Sequence, residues 1–213
     1  MDGHGAITMN KTLLVSALLL TTVSAHAVDA PQWNQASIGW VGASFDNNID
    51  LGGLAIAGNY LVNDNVFLTG RSESTKDDII SGSTTVNLKL TRLSLGAGYR
   101  YELNTTTDLF GKATFESYKA SASAPYRGFT ISAEETTNGL AFEGGVRSMV
   151  HPNIELAASL SLIRMNVDAG EDGNETSLNA SAAYHFNDRF SAGLGVSKME
   201  DARFTELKAI MSF

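Results

Sequence analysis

The 213-residue chain is predicted to be an all-β protein: a closed, antiparallel, up-and-down transmembrane β-barrel of about ten strands, with eight strands as the alternative. Three observations predict this fold. Apolar side chains alternate with small or polar ones through most of the chain, a period of two that is typical of strands. An export signal precedes the alternation, and an apolar strand ends the chain. A barrel with lipid outside and a polar interior accounts for all three.

Residues 1–27 are predicted to be a signal peptide with an upstream extension. The segment that starts at Met9 has a basic start at Lys11, an apolar run, and a small-x-small cleavage site at Ala25 and Ala27. These are the three parts of a secretory signal. We therefore expect Met9 to be the natural start and cleavage to follow Ala27. The apolar run is shorter than the roughly 20 residues that cross a bilayer as a helix.

The composition argues against several classes of protein. The formal net charge is -8, and without a basic stripe the chain is a poor nucleic-acid binder. No cysteine is present, which excludes disulfides and thiolate metal sites. Beyond the signal no apolar run reaches the length of a membrane helix, and the mean hydropathy is near neutral at -0.04. No cofactor or metal is expected.

The first part of the mature chain is expected to be a short periplasmic lead over residues 28–34, with Trp33 at the membrane interface. The barrel is expected to span residues 35–213. Alternation begins around Trp40, and turn formers interrupt it at residues 46–50 and again after Tyr60.

The next segments depart from simple alternation. A polar loop is expected over residues 74–83. Within residues 84–101 the apolar positions change phase between Leu90 and Leu93, and a one-residue slip turns every following side chain to the other face. We expect either a β-bulge near Thr91 or a first part that stands clear of the membrane.

The second half of the chain supports the strand count. Residues 129–150 exceed the roughly 9 to 11 residues that cross a bilayer, so their first half should project beyond it. Tight turns are predicted near Asn63, Asn104, Pro152 and Asp188. Four such turns, with both termini on the same side, give about ten antiparallel strands.

Three short motifs resemble the small outer-membrane β-barrel superfamily that includes the OmpA transmembrane domain, OmpX and Ail. They are residues 96–101 (GAGYRY), Tyr60 with residues 63–65 (NDN), and residues 186–188 (FND). The resemblance implies a bacterial outer-membrane location with both termini periplasmic, and outer-membrane lipid and lipopolysaccharide as surroundings. That family has eight strands, which is the alternative count.

The last strand resembles the closing strand of outer-membrane barrels, which the barrel-assembly machinery reads. Its expected assembly signal is one apolar row that ends on the terminal carboxylate. The row consists of Leu207, Ala209, Met211 and Phe213.

The candidate functional residues are charges at positions predicted to face the lumen. They are Arg71, Glu73, Arg92, Arg100, Lys112, Glu116, Glu143, Arg147, Glu155, Glu206 and Lys208. Pairing the strands about the tight turns sets Arg92 opposite Glu116 and Arg147 opposite Glu155. Buried charges must be paired, so the set is either a structural network that plugs the lumen or a narrow, gated ion path.

Three functions stay open at this point. The first is a non-enzymatic structural or porin-like barrel with a narrow, charge-lined lumen. The second is a surface adhesin that binds a host or matrix ligand through its extracellular loops, above all the hairpin at residues 120–136. The third, an outer-membrane enzyme, is disfavoured because the mature histidines, His151 and His185, fall near the periplasmic end, away from any rim nucleophile. We therefore predict no catalytic residues.

Cations expected near the outer rim suit lipopolysaccharide phosphates or serve only as solubilising charges. They are Lys76, Lys89, Arg127, Arg164, Lys198 and Arg203.

Overall fold

The computed structural model describes residues 28–45, 49–81, 84–126, 129–166, 172–200 and 202–213. The signal peptide, with its cleavage site at Ala25 and Ala27, lies outside the described residues. The described residues form ten strands: β1 Gln35–Phe45, β2 Ile49–Leu61, β3 Val66–Ser81, β4 Thr84–Asn104, β5 Thr107–Tyr126, β6 Phe129–His151, β7 Ile154–Asn166, β8 Asp172–His185, β9 Phe190–Met199 and β10 Ala202–Ser212.

The ten strands close into a single antiparallel barrel in which each strand pairs with its sequence neighbours. The first and last strands complete the ring, with β1 and β10 in register from Gln35 opposite Ser212 to Phe45 opposite Ala202. Closure leaves no free edge within the ring. The predicted up-and-down barrel of ten strands is confirmed, and the eight-strand alternative is wrong. Among the described residues, no helix is long and apolar enough to cross a membrane.

An apolar belt covers the outside of the barrel. Leucines such as Leu54, Leu178 and Leu194 are 60% or more exposed, because the pleat sends alternate side chains away from the lumen. The other belt residues are similarly exposed and include Ile38, Trp40, Ile56, Tyr60, Leu68, Leu95, Tyr99, Phe115, Leu140, Phe142, Leu160, Leu162, Tyr184, Phe190, Val196, Leu207 and Phe213. An outward apolar surface of this extent is that of a barrel surrounded by lipid.

All four predicted tight turns lie at one end of the barrel, which we call the tight-turn end, and both termini of the described chain lie there too. Asparagine side chains fix three of these turns. Asn63 Oδ1 accepts the backbone N–H of Val66, and Asn104 Oδ1 accepts that of Thr106. Asn187 repeats this arrangement in the β8–β9 turn. Such local bonds are the reason asparagine favours turns.

The opposite end, which we call the hairpin end, is uneven because β3 to β6 have 16 to 23 residues, whereas the other strands have 10 to 14. We call the part of these four strands beyond the belt the projecting sheet: residues 76–81, 84–91, 117–126 and 129–138. The loop expected over residues 74–83 is wrong, since β3 continues to Ser81.

The β-bulge expected near Thr91 is also wrong. The β3–β4 register runs unbroken from Val66 opposite Tyr99 to Ser81 opposite Thr84. The phase changes because the surroundings change: beyond the belt Lys89 points outward, while Leu90 takes the inner face. The structure has the other expected arrangement, in which the first part of β4 lies beyond the apolar belt.

Candidate functional site: a charge-lined lumen

All eleven charges expected in the lumen lie on the inner face of the barrel. They are Arg71, Glu73, Arg92, Arg100, Lys112, Glu116, Glu143, Arg147, Glu155, Glu206 and Lys208. Each alternates along its strand with an outward residue, so the inward direction follows from the pleat. The closed ring brings together strands that are far apart in sequence, which is what makes one network of these charges.

Arg71 forms ion pairs with carboxylates on two different strands of the wall. Its Nη2 lies 2.8 Å from Glu73 Oε2 on the same strand, and its Nη1 lies 3.1 Å from Glu206 Oε1 on β10. Between β3 and β10 stand two further strands, β1 and β2. The Arg71–Glu206 contact therefore crosses part of the lumen, and sequence pairing of neighbouring strands did not predict it.

The two expected ion pairs form, but the expected opposite placement is wrong: the register sets Arg92 opposite Tyr118 and Arg147 opposite Ala157, so each pair is diagonal across neighbouring strands. Arg92 Nε lies 2.9 Å from Glu116 Oε2, and Arg147 Nε lies 2.7 Å from Glu155 Oε1. Ser94 also donates to Glu116. A third neighbouring-strand pair is Lys112 with Glu143, at 2.9 Å, as the β5–β6 register requires.

Asp108 is a lumen carboxylate that sequence reasoning missed. It is 1% exposed, lies 3.1 Å from Arg100 Nη1, and accepts the indole N–H of Trp33 at 2.6 Å. The sequence pattern could have indicated this position, because Asp108 precedes the outward Leu109 on the same strand and must therefore face the lumen. With Asp108 added, the eleven predicted charges become six cations and six carboxylates, a set without net charge.

The lead before β1 closes the tight-turn end from inside, so the expectation of Trp33 at the membrane interface is wrong. Trp33 is 4% exposed, and its ring centroid lies 4.6 Å from that of Phe67 and 5.7 Å from that of Phe110. The guanidinium carbon of Arg147 lies 4.5 Å from the Trp33 ring centroid, a cation–π arrangement. Together with Asp108 these contacts hold the indole in the lumen.

The lead crosses the whole mouth, and we call residues 28–34 the strap. At one side the Val28 N–H donates to Pro152 O in the β6–β7 turn. At the other side Asn34 Oδ1 accepts the Leu61 N–H, and Asn34 O accepts the Phe213 N–H. The β6–β7 turn lies half-way round the ten-stranded ring from β1, so the strap spans the diameter of the mouth.

Apolar side chains line the inner face toward the hairpin end. Val41, Ala43, Leu51 and Ile163 are each under 5% exposed. Phe45 and Phe204 from adjacent strands meet edge to face, with centroids 6.3 Å apart. Sequence reasoning assigned a small or polar inner face throughout and missed this apolar layer; the alternation of Val41 with Trp40 was the signal that marked it.

A cavity of about 340 Å³ lies between the strap and the apolar layer. Trp33, Phe67 and Phe110 line it at the tight-turn end, and the charge network lines its middle. Val41, Ile163, Met199 and Phe204 line it toward the hairpin end. The interior therefore holds a charged chamber between the strap and an apolar layer.

His185 takes part in a buried chain of polar groups. Its Nδ1 lies 3.3 Å from Ser191 Oγ and its Nε2 lies 3.4 Å from Glu155 Oε2. The side chains of Ser191, His185 and Glu155 thus follow one another in space. His185 and Ser191 are, however, only 1% and 3% exposed, and neither lines the cavity. Glu155 is moreover paired with Arg147. These buried groups form part of the wall of the barrel.

The structure is similar to several known barrels. Ail of Yersinia pestis is 17% identical, with coverage of 85% of this chain and 99% of that one at a TM-score of 0.41. The KdgM porin is 10% identical, with coverage of 83% and 99% at a TM-score of 0.43. OprG of Pseudomonas aeruginosa is 10% identical, with coverage of 87% and 99% at a TM-score of 0.45. A comparison with curated proteins finds no match.

The sequence also matches a family profile over most of its length. The profile describes the outer membrane protein beta-barrel domain and matches residues 15–201. The match covers β1 to β9 and ends before β10 begins at Ala202. The chain belongs to the outer membrane protein beta-barrel domain family, and its place is the bacterial outer membrane.

Proposed function

We propose that this protein is a non-enzymatic, closed barrel that holds the projecting sheet at the cell surface for attachment to a host or matrix ligand. In this proposal the tight-turn end, with both termini, faces the periplasm. The projecting sheet is the observation that carries it. Beyond the belt, the sheet extends by about ten residues per strand in β5 and β6, or roughly 30 Å at the rise of a strand.

One edge of the projecting sheet suits recognition of an extended peptide. The β6–β7 pairing stops at Asn138 opposite Asn166. Residues 129–137 of β6 therefore have no strand partner on that side within the described ranges. A free edge presents unpaired backbone N–H and C=O groups, to which a partner strand can add. This edge carries neither lysine nor proline, the residues that commonly block such pairing.

The experiment shortens the sheet without cutting the barrel. Ser121 pairs with Glu134 and Ala120 with Glu135, so replacement of residues 121–134 by Asn-Gly closes a shorter hairpin in the same register. We expect binding to host cells or matrix proteins to fall at least tenfold, while heat-modifiable gel mobility persists. The Glu134→Gln variant is the matched control of full length. Unchanged binding by the shortened barrel would exclude attachment through this hairpin.

A narrow, gated ion path is the second candidate, and the cavity of about 340 Å³ with its charged lining favours it. In this reading the strap is a gate and the apolar layer a constriction. Planar-bilayer recording separates the two functions. Steps of conductance from the unaltered protein support the pore, whereas a silent barrel supports the closed anchor.

We further propose that lipopolysaccharide phosphates bind a basic collar just beyond the belt. Lys76 is directly opposite Lys89, and Lys198 directly opposite Arg203, with all four side chains exposed. Like charges at opposite positions repel, and a bridging phosphate removes that repulsion. Arg164 is exposed on β7, while Arg127 lies outside the described residues. Lys76→Gln with Lys198→Gln should reduce lipopolysaccharide retained on purification; unchanged retention excludes the collar.

The terminal row remains our proposed signal for the barrel-assembly machinery. Leu207, Met211 and Phe213 are between 47% and 63% exposed and lie on the outward face with Ala209. An apolar row on the outside of the last strand is accessible before β1 and β10 close the ring. Phe213→Ser should slow assembly in cells and leave refolding from urea unchanged.

A further inference from the structure

We propose that the cavity inside the barrel binds a small carboxylate with an apolar tail, and that Arg92 holds its carboxylate. This site goes beyond surface attachment and does not depend on it. Two features of the chamber support this site: hydrogen-bond donors that no described group uses, and an apolar wall toward the hairpin end.

Arg92 and Lys208 both line the cavity and keep donors that no described group accepts, and the planar guanidinium of Arg92 is the one whose shape matches a carboxylate. Its Nε donates to Glu116 Oε2 at 2.9 Å, but its two terminal nitrogens make no hydrogen bond with any described residue. Arg92 lines the cavity, and its side chain is 30% exposed. By contrast, Arg71 uses Nε, Nη1 and Nη2 on Glu73 and Glu206. The Arg92 guanidinium carbon lies 5.4 Å from the Tyr118 ring centroid, and its terminal nitrogens remain available to donate to an anion in the chamber.

The carboxylates of the chamber are already engaged. Glu116 accepts from Arg92, Ser94 and Thr114 and is 1% exposed. The other five carboxylates each lie within 3.1 Å of a lysine or arginine nitrogen. What the network leaves unsatisfied is therefore a donor, which an anion satisfies. A planar guanidinium end suits the two oxygens of a carboxylate.

The cavity also determines what the carboxylate is attached to. From Arg92 it extends to the apolar side chains of Val41, Ile163, Met199 and Phe204. An unbranched aliphatic tail or a single aromatic ring packs against such a wall. A polyanion or a sugar would lose its hydrogen bonds to water there, and apolar side chains offer none in return. The volume of about 340 Å³ is at the small end of ligand sites. A carboxylate of about eight carbons is the class that fits.

The test uses the full-length mature barrel in lipid nanodiscs, with octanoate titrated by calorimetry and empty nanodiscs as the reference. Octanoate should bind at least tenfold more tightly than acetate, because burial of each methylene is worth about three- to fourfold in affinity. Octylammonium has the same tail and the opposite charge, and it should bind at least tenfold more weakly than octanoate. Equal binding of octanoate and octylammonium would overturn the proposal.

Two charge-neutral double variants locate the site. Arg92→Gln with Glu116→Gln removes the proposed anchor and leaves no unpaired charge, and it should weaken octanoate binding at least tenfold. Lys112→Gln with Glu143→Gln removes another ion pair of the same cavity, and affinity should stay within threefold. Equal losses in both variants would exclude Arg92 as the anchor.

A third variant serves if either double variant fails to assemble. Met199→Asn places an amide on the apolar wall near the β9–β10 turn, where the residue is partly exposed. Octanoate binding should fall severalfold while acetate binding stays the same. If octanoate affinity is unaffected, the tail does not lie on this wall and the proposal fails. Attachment through the projecting sheet is unaffected by any of these results.

Discussion

The indole of Trp33 fills part of the lumen at the tight-turn end of this barrel. Trp33 contacts Phe67, Phe110 and Arg147 and donates to Asp108. Its ring therefore fills space that strands alone leave open, and its N–H satisfies an oxygen of the buried Asp108. Local sequence did not reveal this role, since a tryptophan ahead of the first strand is equally typical of a lipid interface.

Replacement of Trp33 by alanine should open the barrel to ions. The loss of the indole removes four contacts and costs about 3–5 kcal/mol of the free energy of unfolding. In planar bilayers the Trp33→Ala protein should show conductance steps that exceed those of the unaltered protein. Trp40→Ala is the matched control, because Trp40 is 53% exposed on the outside. A silent Trp33→Ala barrel would show that the lumen is closed elsewhere, at the apolar layer.

Gly53 is a position where the wall has no room for a side chain. A Cβ at Gly53 would overlap the backbone of Ser74 and Thr75 on the neighbouring strand. Gly53→Ala should therefore lower the free energy of unfolding by about 1–3 kcal/mol, measured by urea denaturation in lipid vesicles. At Gly111 the nearest atom to a Cβ is Glu143 O at 3.9 Å, so Gly111→Ala is the control. Equal effects would contradict the steric argument.

At the scale of the element, β4 illustrates how one strand serves two environments. Its register stays continuous, but its apolar side chains move from the outer to the inner face where the belt ends. Within the belt lipid contacts the outer face, and beyond it water does, so the apolar side chains take the opposite face. The change of phase along β4, which by itself suggests a β-bulge, thus marks the membrane boundary.

The projecting sheet also has an ion pair that is accessible to titration. Lys119 Nζ lies 2.8 Å from Glu134 Oε2 on the neighbouring strand. The hydrogen bond and charge of Lys119 lower the pKa of Glu134 below its ordinary value of 4.5. A lowered pKa means that the pair contributes at neutral pH and is lost as the pH falls through the folded-state pKa.

The corresponding prediction is a shift in the titration of Glu134. The pKa of Glu134, followed by carboxyl-carbon NMR, should lie below 4.5 in the unaltered protein and return to about its ordinary value in Lys119→Gln. Glu135→Gln changes the adjacent residue and should leave the pKa low. If Lys119→Gln has no effect, the pair does not form in solution.

At the scale of the whole molecule, stability depends on the orientation of the belt. Leu194 is 63% exposed in the middle of β9, and the neighbouring inward positions are Gly193 and Gly195. Such a distribution is stable only when lipid covers the outer face. A soluble barrel would require the apolar set in its interior.

A charge on the belt tests this orientation. Leu194→Arg should lower the free energy of unfolding in lipid vesicles by about 2–4 kcal/mol, the cost of arginine at the bilayer midplane. Lys198→Arg, four residues along the same face and beyond the belt, should change it by less than about 0.5 kcal/mol. Equal stability of the two variants would mean that lipid does not contact Leu194.

The sequence alone determined the fold class, a strand count of about ten with eight still open, the four tight turns and the faces of most strands, because alternation and turn chemistry are local. The inward positions of the charges follow from alternation, which also puts Arg92 and Glu116, and Arg147 and Glu155, on the same face of neighbouring strands; the register that makes both pairs diagonal was not predicted. Only the tertiary structure decided the strap, the Arg71–Glu206 contact and the apolar layer. Each depends on ring closure, which brings together strands that no local rule relates. For that reason, whether the lumen is open or closed is a property of the closed ring and not of any segment.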